Sequence, residues 1–270
     1  MKNFWIFYST FILLTMIYCG SAHALAVTFC YEDNEQAPYL FGDQSVPKTN
    51  PGILVDLIRD ASQQANITPR FIRRPWLRCQ KMVQLGQVQA LFAMIETPER
   101  LPLFQFPNNK QHYLMKGNYV IFYNPAFSEP AQMERVAQGL AQDQGVGHLL
   151  KFGLGAPRGY VVTKLLARHN ALVEGVHLLP QGLNLLKKAR LDGFVMDKFI
   201  GIEFVFKNRG EAQIAYSAKS VLVDYWYATF NRSFYEMRSR QVEKFWLALP
   251  ELRQKYESRL EQDAKFKMAH

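Results

Sequence analysis

The sequence predicts an α/β fold made of two similar lobes, and three observations carry that reading. Beyond an N-terminal apolar run the chain alternates strand, helix, strand, helix, strand, the pattern of a mostly parallel sheet flanked by helices. A second α/β series begins after a Pro/Ser/Gln-rich stretch at 124–144. The two series also echo each other. Leu85-Gly86-Gln87-Val88-Gln89-Ala90 resembles Lys188-Ala189-Arg190-Leu191-Asp192-Gly193, each joining a helix end to a buried strand.

Taken in order, Val27 to Tyr31 is a short β-prone run followed by the acidic turn Glu32-Asp33-Asn34-Glu35. Pro51-Gly52 introduces Ile53 to Ala61, whose apolar residues fall on one helical face. Pro69 to Arg73, with Phe71 and Ile72, is the second strand. Pro75 suits the first turn of a helix from Trp76 to Leu85, and Gly86 suits its end. Gln89 to Met94 is the third strand. Tyr113 to Tyr123 is a long strand, and Ala131 to Leu140 a helix. The second series then runs through a helix at Val161 to Arg168, a strand at Val176 to Leu179 and a helix at Gln181 to Ala189. A strand at Gly193 to Met196 follows, closed by Asp197. Ser220 to Phe230 is again β-rich, and Gln241 to Leu249 is helical.

The N-terminus reads as a secretory signal. Lys2 is the positive end, Phe4 to Tyr18 are almost continuously apolar, and Ser21-Ala22-His23-Ala24 offers an Ala-x-Ala cleavage site. Residues 1–24 are thus expected to leave, giving a soluble exported protein in the periplasm. The formal net charge is +9. The basic residues are spread out rather than striped, which argues against nucleic acid as a partner. The clusters Arg70-Arg73-Arg74-Arg78 and Lys187-Lys188-Arg190 read as solvated faces. With Cys19 in the signal, Cys30 and Cys79 remain as an even pair in an oxidising compartment, a disulfide candidate. Two buried reduced thiols are the alternative, because spacing alone cannot place the Cα atoms within bridging range.

Phosphate-cradle glycine loops, short-spaced metal ligands and a nucleophile elbow are all missing, so neither cofactor nor metal is expected. The informative segment is Gln89 to Arg100. An apolar run of strand length ends in the polar turn Thr97-Pro98-Glu99-Arg100. Open α/β sheets bind ligands at the carboxyl ends of their strands, and a fixed guanidinium there suits a carboxylate or phosphate. The alternative is a surface Arg100 paired with Glu99 or Glu96. Aromatics at strand ends or turns, Tyr31, Tyr39, Trp76 and Tyr160, could wall such a pocket.

The ordered motifs Glu32-Asp33…Ala37-Pro38-Tyr39, Pro51 to Leu57, Gly86 to Ala90, Thr97 to Arg100 and Phe104-Gln105-Phe106-Pro107 resemble the bacterial extracellular solute-binding protein family 3, the periplasmic amino-acid-binding proteins of ABC importers. That resemblance implies a type II periplasmic binding fold. Its two α/β lobes would be joined by crossover strands near Tyr113 to Asn118 and Leu222 to Ala228. Lobe 1 would comprise 25–115 plus 226–270 and lobe 2 116–225, in a monomer that closes on a small-molecule ligand. It further implies that Arg100 clamps a ligand carboxylate, that Asp197 receives an amino group, and that Asp33 touches the ligand side chain. Tyr39, Trp76, Ala93, Thr97, Arg158 and Tyr160 fall beside them. The chain departs from the family at Ile95, where a hydroxyl is usual, at Ala156-Pro157, which removes a hydroxyl and an N–H, and at Gln36, where an aromatic is usual. These departures point toward a ligand with more negative charge or one that is not an amino acid. The partner would be an ABC permease or a membrane sensor. Cyclohexadienyl dehydratases resemble the same proteins, which makes a lyase with Glu96 or Glu32 as general acid the enzymatic alternative.

Overall fold

The computed structural model describes residues 24–43, 45–47, 49–208 and 213–269, with side chains as far as residue 262. The expected signal sequence, except Ala24, lies outside the described residues, as does Cys19. Strand β1 (Leu25–Glu32), helix α1 (Ile53–Gln64), β2 (Ile67–Arg74), α2 (Trp76–Gln84) and β3 (Ala90–Ile95) form the first α/β series. β1 lies between the other two strands, in parallel register with β2 from Leu25↔Ile67 to Glu32↔Arg74 and with β3 at Phe29↔Ala90. A parallel strand covered on both faces is apolar almost throughout, and Phe29, Cys30 and Tyr31 are all buried. Helix α1 buries Ile53, Leu54, Leu57, Ile58 and Ala61 on one stripe. It begins after Gly52 at φ 109°, where a Cβ would sit 2.2 Å from the Tyr39 carbonyl oxygen, so only glycine fits.

The second series comprises β4 (Met115–Tyr123), α3 (Pro130–Ala141), β5 (Leu154–Gly155), α4 (Val161–Arg168), α5 (Leu179–Lys187), β6 (Gly193–Asp197), α6 (Lys198–Lys207) and β7 (Ala215–Tyr216). β8 (Leu222–Phe230) and α7 (Arg232–Ala269) complete the chain. The strands follow the order β2-β1-β3-β8-β4-β6-β5, with β7 on β4. β8 joins the two halves of the sheet: its first residues pair with β4 and its last with β3. Trp226 is the switch, opposite Met115 on one side and Ile95 on the other. Helix α7 returns to the first half, where the Trp246 indole donates to the Ala228 carbonyl at 2.9 Å and the Tyr256 hydroxyl to Asp60 at 2.8 Å.

The echo between the two series is a repeated helix stop. After α2, Gly86 sits at φ 70° and the Gln87 amide donates back to the Met82 carbonyl at 2.9 Å. After α5, Ala189 sits at φ 52° and the Arg190 amide donates to Leu185 at 2.9 Å. Both are left-handed C-caps that turn the chain into the next strand.

Four expectations need correction. Val176 to Leu179 is not a strand; Leu179 opens α5, with Pro180 in its first turn, so the helix-starting proline overrides two β-prone residues. Helix α6 was not anticipated, because its run Phe199 to Phe206 is apolar except at Glu203 and carries no helical stripe. The C-terminal helix far exceeds Gln241 to Leu249, interrupted only at Arg238. Finally, Arg73 is no solvated residue. It is 2% exposed, lies 5.0 Å from the Tyr31 ring, and donates to the backbone carbonyls of Glu32, Asn34, Phe41, Gly42 and Ser45. Cys30 and Cys79 form a disulfide across a Cα separation of 5.4 Å, tying β1 to α2.

Candidate functional site

The carboxyl end of β3 carries a β-bulge. Its register on β8 shifts between Leu91 and Met94, and Ala93 takes φ 64°, a left-handed conformation that costs an alanine on the order of 1 kcal/mol. The strand then runs into the Thr97 turn, closed by the Arg100 and Leu101 amides on the Thr97 carbonyl at 2.9 and 3.1 Å. This turn folds the Arg100 side chain back under the strand end. One Nη donates to the Ile95 carbonyl at 2.8 Å, and the other reaches across to the Gly159 carbonyl at 3.3 Å in the second half of the molecule. Among the described residues no carboxylate lies within ion-pairing distance of Arg100. Burial pulls its pKa down, opposed by the more distant charges of Glu99 and Asp224. The surface alternative fails, since Glu99 faces Lys164 and Glu96 is paired with Lys110.

Arg100 lines an inner chamber of about 30 Å³ between the two halves. The space would hold about two water molecules. Its walls are largely apolar and include five aromatics: Trp76, Phe92, Tyr119, Tyr160 and Trp226. Glu32, Gln36, Trp76, Tyr160 and Ile200 line this chamber and also an outer vestibule of about 800 Å³, so they form the neck between them. The halves meet around it. Gln36 donates its side-chain amide to the Tyr160 hydroxyl, and Lys207 on α6 pairs with Glu35 at 2.6 Å.

Two carboxyls reach the inner chamber, in opposite conditions. Asp197, ending β6, accepts from the Phe199 and Ile200 amides at the start of α6 and from the Asn118 amide at 3.0 Å. The Tyr39 hydroxyl is a fourth donor. Asp197 is thus the N-cap of α6 and a tie to β4, with its lone pairs largely occupied. Burial nevertheless pushes its pKa up to about 6, against the pull of those amides. Glu32, ending β1, is 7% exposed; Asn34 donates to it from its side-chain amide at 3.0 Å and from its backbone N–H, and Asp33 is hydrogen-bonded to it. Burial first, and the neighbouring Asp33 second, push it up to about 7.

Of the expected site residues, Arg100, Asp197, Trp76, Ala93 and Tyr160 come together at the inner chamber. Asp33 and Arg158 line the vestibule only. Tyr39 lines neither; it is buried behind Asp197 with its ring 4.8 Å from Trp226. Thr97 shapes the turn through its backbone and lines neither space. Sequence reasoning overlooked Phe92, Tyr119 and Trp226, which no local motif distinguishes from core. It also saw Gln36 only as a lost aromatic, whereas Gln36 spans the neck.

No protein-family model matches the chain, and no curated protein does. Solved structures match over nearly its whole length. A histidine kinase sensor domain with similarity to periplasmic binding proteins aligns at 19% identity and TM-score 0.65, covering 89% of this chain and 96% of that one. The GluR0 ligand-binding core in complex with L-glutamate aligns at 15% identity and TM-score 0.63, covering 89% and 99%. AbpA from Streptococcus pneumoniae, an amino acid ABC transporter substrate-binding protein bound to L-arginine, aligns at 16% and TM-score 0.61, covering 92% and 96%. The chain therefore has the two-lobed periplasmic-binding-protein fold. Among the described residues no helix is long and apolar enough to cross a membrane.

Proposed function

We propose that this chain is an exported solute-binding protein that captures a small carboxylate-bearing ligand between its lobes and delivers it to an ABC importer. The observation that carries the reading is Arg100. A guanidinium held in a cleft by two backbone carbonyls, one from each half, has no anion of its own. Partial burial without a counter-charge is costly, and a ligand carboxylate or similar anion supplies one. We place the lobe boundary at 115/116 and 225/226. The change of strand partner at Trp226 supports that division, because a hinge there would move β4 and its neighbours as a unit.

The likeness to a histidine kinase sensor domain favours a second reading, in which the liganded protein addresses a membrane sensor rather than a permease. The lyase reading has less support: Glu96, one of its two candidate acids, is paired with Lys110 and does not line the chamber. A thermal-shift screen of amino acids, small carboxylates and phosphorylated metabolites tests the proposal. A ligand of this site raises the melting temperature by mass action, and the shift disappears in Arg100→Ala. A shift that Arg100→Ala retains would remove Arg100 from the site.

A further inference from the structure

The outer side of α2 faces away from the chamber, and its charge is one-sided. Between Asp60 and Glu96 the chain has five cations and no acidic residue. Arg73 is spent on the fold, which leaves Arg70, Arg74, Arg78 and Lys81, all exposed. Strand alternation sets the first two on the α2 side of the sheet. Ile72 lies opposite Cys30, which is bonded to Cys79 of α2, so Arg70, Ile72 and Arg74 point the same way. On the helix itself Leu77, Arg78, Lys81 and Leu85 fall within about 100° of arc.

Four leucines share this face. Leu77 and Leu85 are 50% and 58% exposed, and Leu101 and Leu103, in the turn after β3, are 43% and 45% exposed. The start of α7 fastens that turn to the end of α2. The Asn231 side-chain amide donates to the Val83 carbonyl at 2.8 Å, and Arg232 donates to the Leu101 carbonyl at 3.1 Å. Beneath them Phe104 packs in one cluster with Trp76, Cys79 and Val83. The carboxylates beside the turn, Glu96 and Glu99, face Lys110 and Lys164. Among the described residues no carboxylate pairs with Arg70, Arg74, Arg78, Lys81 or Arg232.

Exposed leucines among unpaired cations suit either an acidic protein or an anionic lipid surface. Protein interfaces are anchored by Trp, Tyr and Arg, and leucine is under-represented among their anchors. A lipid surface uses this composition directly. Leucines enter the boundary between headgroups and acyl chains, while Lys and Arg stay among the phosphates. We propose that the α2 face docks on an anionic phospholipid surface, with Leu85, Leu101 and Leu103 inserted and Arg74, Arg78 and Lys81 at headgroup level. Leu77 packs against Gly159 of the second half, so the docked face ends at the rim of the vestibule. Docking of this kind lets an exported protein find a membrane partner by diffusion along the surface. It is independent of the Arg100 reading.

The test is co-sedimentation with vesicles of phosphatidylcholine alone and of phosphatidylcholine and phosphatidylglycerol in equal parts. The chain from Leu25 onward is used: it holds every element of the described fold, and the run Phe4 to Tyr18 would enter lipid by itself. Wild type is compared with Arg78→Glu/Lys81→Glu and with Leu101→Ser/Leu103→Ser. Lys188→Glu/Arg190→Glu, in the second half, is a control of equal charge change. Circular dichroism shows that each variant is folded. The expected result is association with the mixed vesicles and not with phosphatidylcholine alone. Arg78→Glu/Lys81→Glu should weaken it by at least about 25-fold, since each cation at an anionic surface strengthens binding about fivefold. Leu101→Ser/Leu103→Ser should weaken it by at least about tenfold, and the control by less than about threefold. No association with the mixed vesicles would overturn the inference and leave the face to an acidic protein. Equal association with phosphatidylcholine alone would also overturn it. So would a control that loses as much as Arg78→Glu/Lys81→Glu, which would reduce the effect to net charge, or a leucine variant that binds like wild type.

Discussion

Two arginines in the first half of the molecule have opposite fates. Arg73 donates to five backbone carbonyls from the loop after β1 and stacks over Tyr31, so its hydrogen-bonding capacity is filled from within. Arg100 has two carbonyls and an aromatic chamber in front of it. One arginine builds the wall that presents Glu32, Asp33 and Gln36; the other faces the space that wall encloses. Two carboxyls repeat the lesson. Asp197 accepts from amides of two other elements and caps a helix, whereas Glu32 is met only by its chain neighbours Asn34 and Asp33. What separates a structural charge from a binding one here is how much of its hydrogen-bonding capacity the fold has already used.

The comparison breaks first at Arg73. If it is structural, Arg73→Ala leaves buried carbonyls without donors and releases the loop, lowering stability by on the order of 4 kcal/mol in denaturant unfolding. A loss below about 1 kcal/mol would mean that the loop holds itself and that the two arginines differ less than proposed.

A smaller effect, and one of opposite sign, is expected at Glu32. Its folded pKa of about 7 lies above the ordinary value of 4.5, so the folded state holds the proton more tightly than the unfolded state does. The stability this group contributes is present in full below about pH 4.5, declines as pH rises, and is gone above about pH 7. Glu32→Gln removes that dependence. Without ligand it should melt like wild type near pH 4.5 and be more stable at pH 8, by on the order of 2 kcal/mol. Equal melting temperatures at both pH values would show that Glu32 carries no such penalty.

Least in magnitude is the helix stop. Gly86 and Ala189 occupy equivalent left-handed positions, one suited to it and one not. Ala189→Gly should stabilise by about 0.5 kcal/mol, relief of alanine strain outweighing glycine's added unfolded entropy. Destabilisation would show that the two caps are not equivalent.

Much of the fold was legible in the sequence because the alternation of apolar runs with glycine and proline stops is local information. The echo of 85–90 in 188–193 even marked a shared cap. Helix α6 escaped because a nearly all-apolar run has no stripe to read, and its strongest signal, Asp197 as N-cap, is also the residue the family resemblance gives to the ligand. The same limit applied at the site. Arg100, Trp76 and Tyr160 stand at turns or helix starts and could be picked out, whereas Tyr119 and Trp226 lie inside strands that read as core. Whether a polar group is free or saturated depends on backbone atoms distant in sequence. Arg73, read as solvated, shows this, and so does Asp197, whose helix-capping bonds no local motif announced.

The most direct measurement of the central claim is calorimetric titration of one stabilising probe into wild type, Arg100→Lys and Arg100→Ala. The account predicts that lysine, which keeps the charge but loses the planar fork, weakens binding by about tenfold. Alanine should weaken it by at least about 30-fold. An Arg100→Ala protein that binds the probe with wild-type affinity would contradict it.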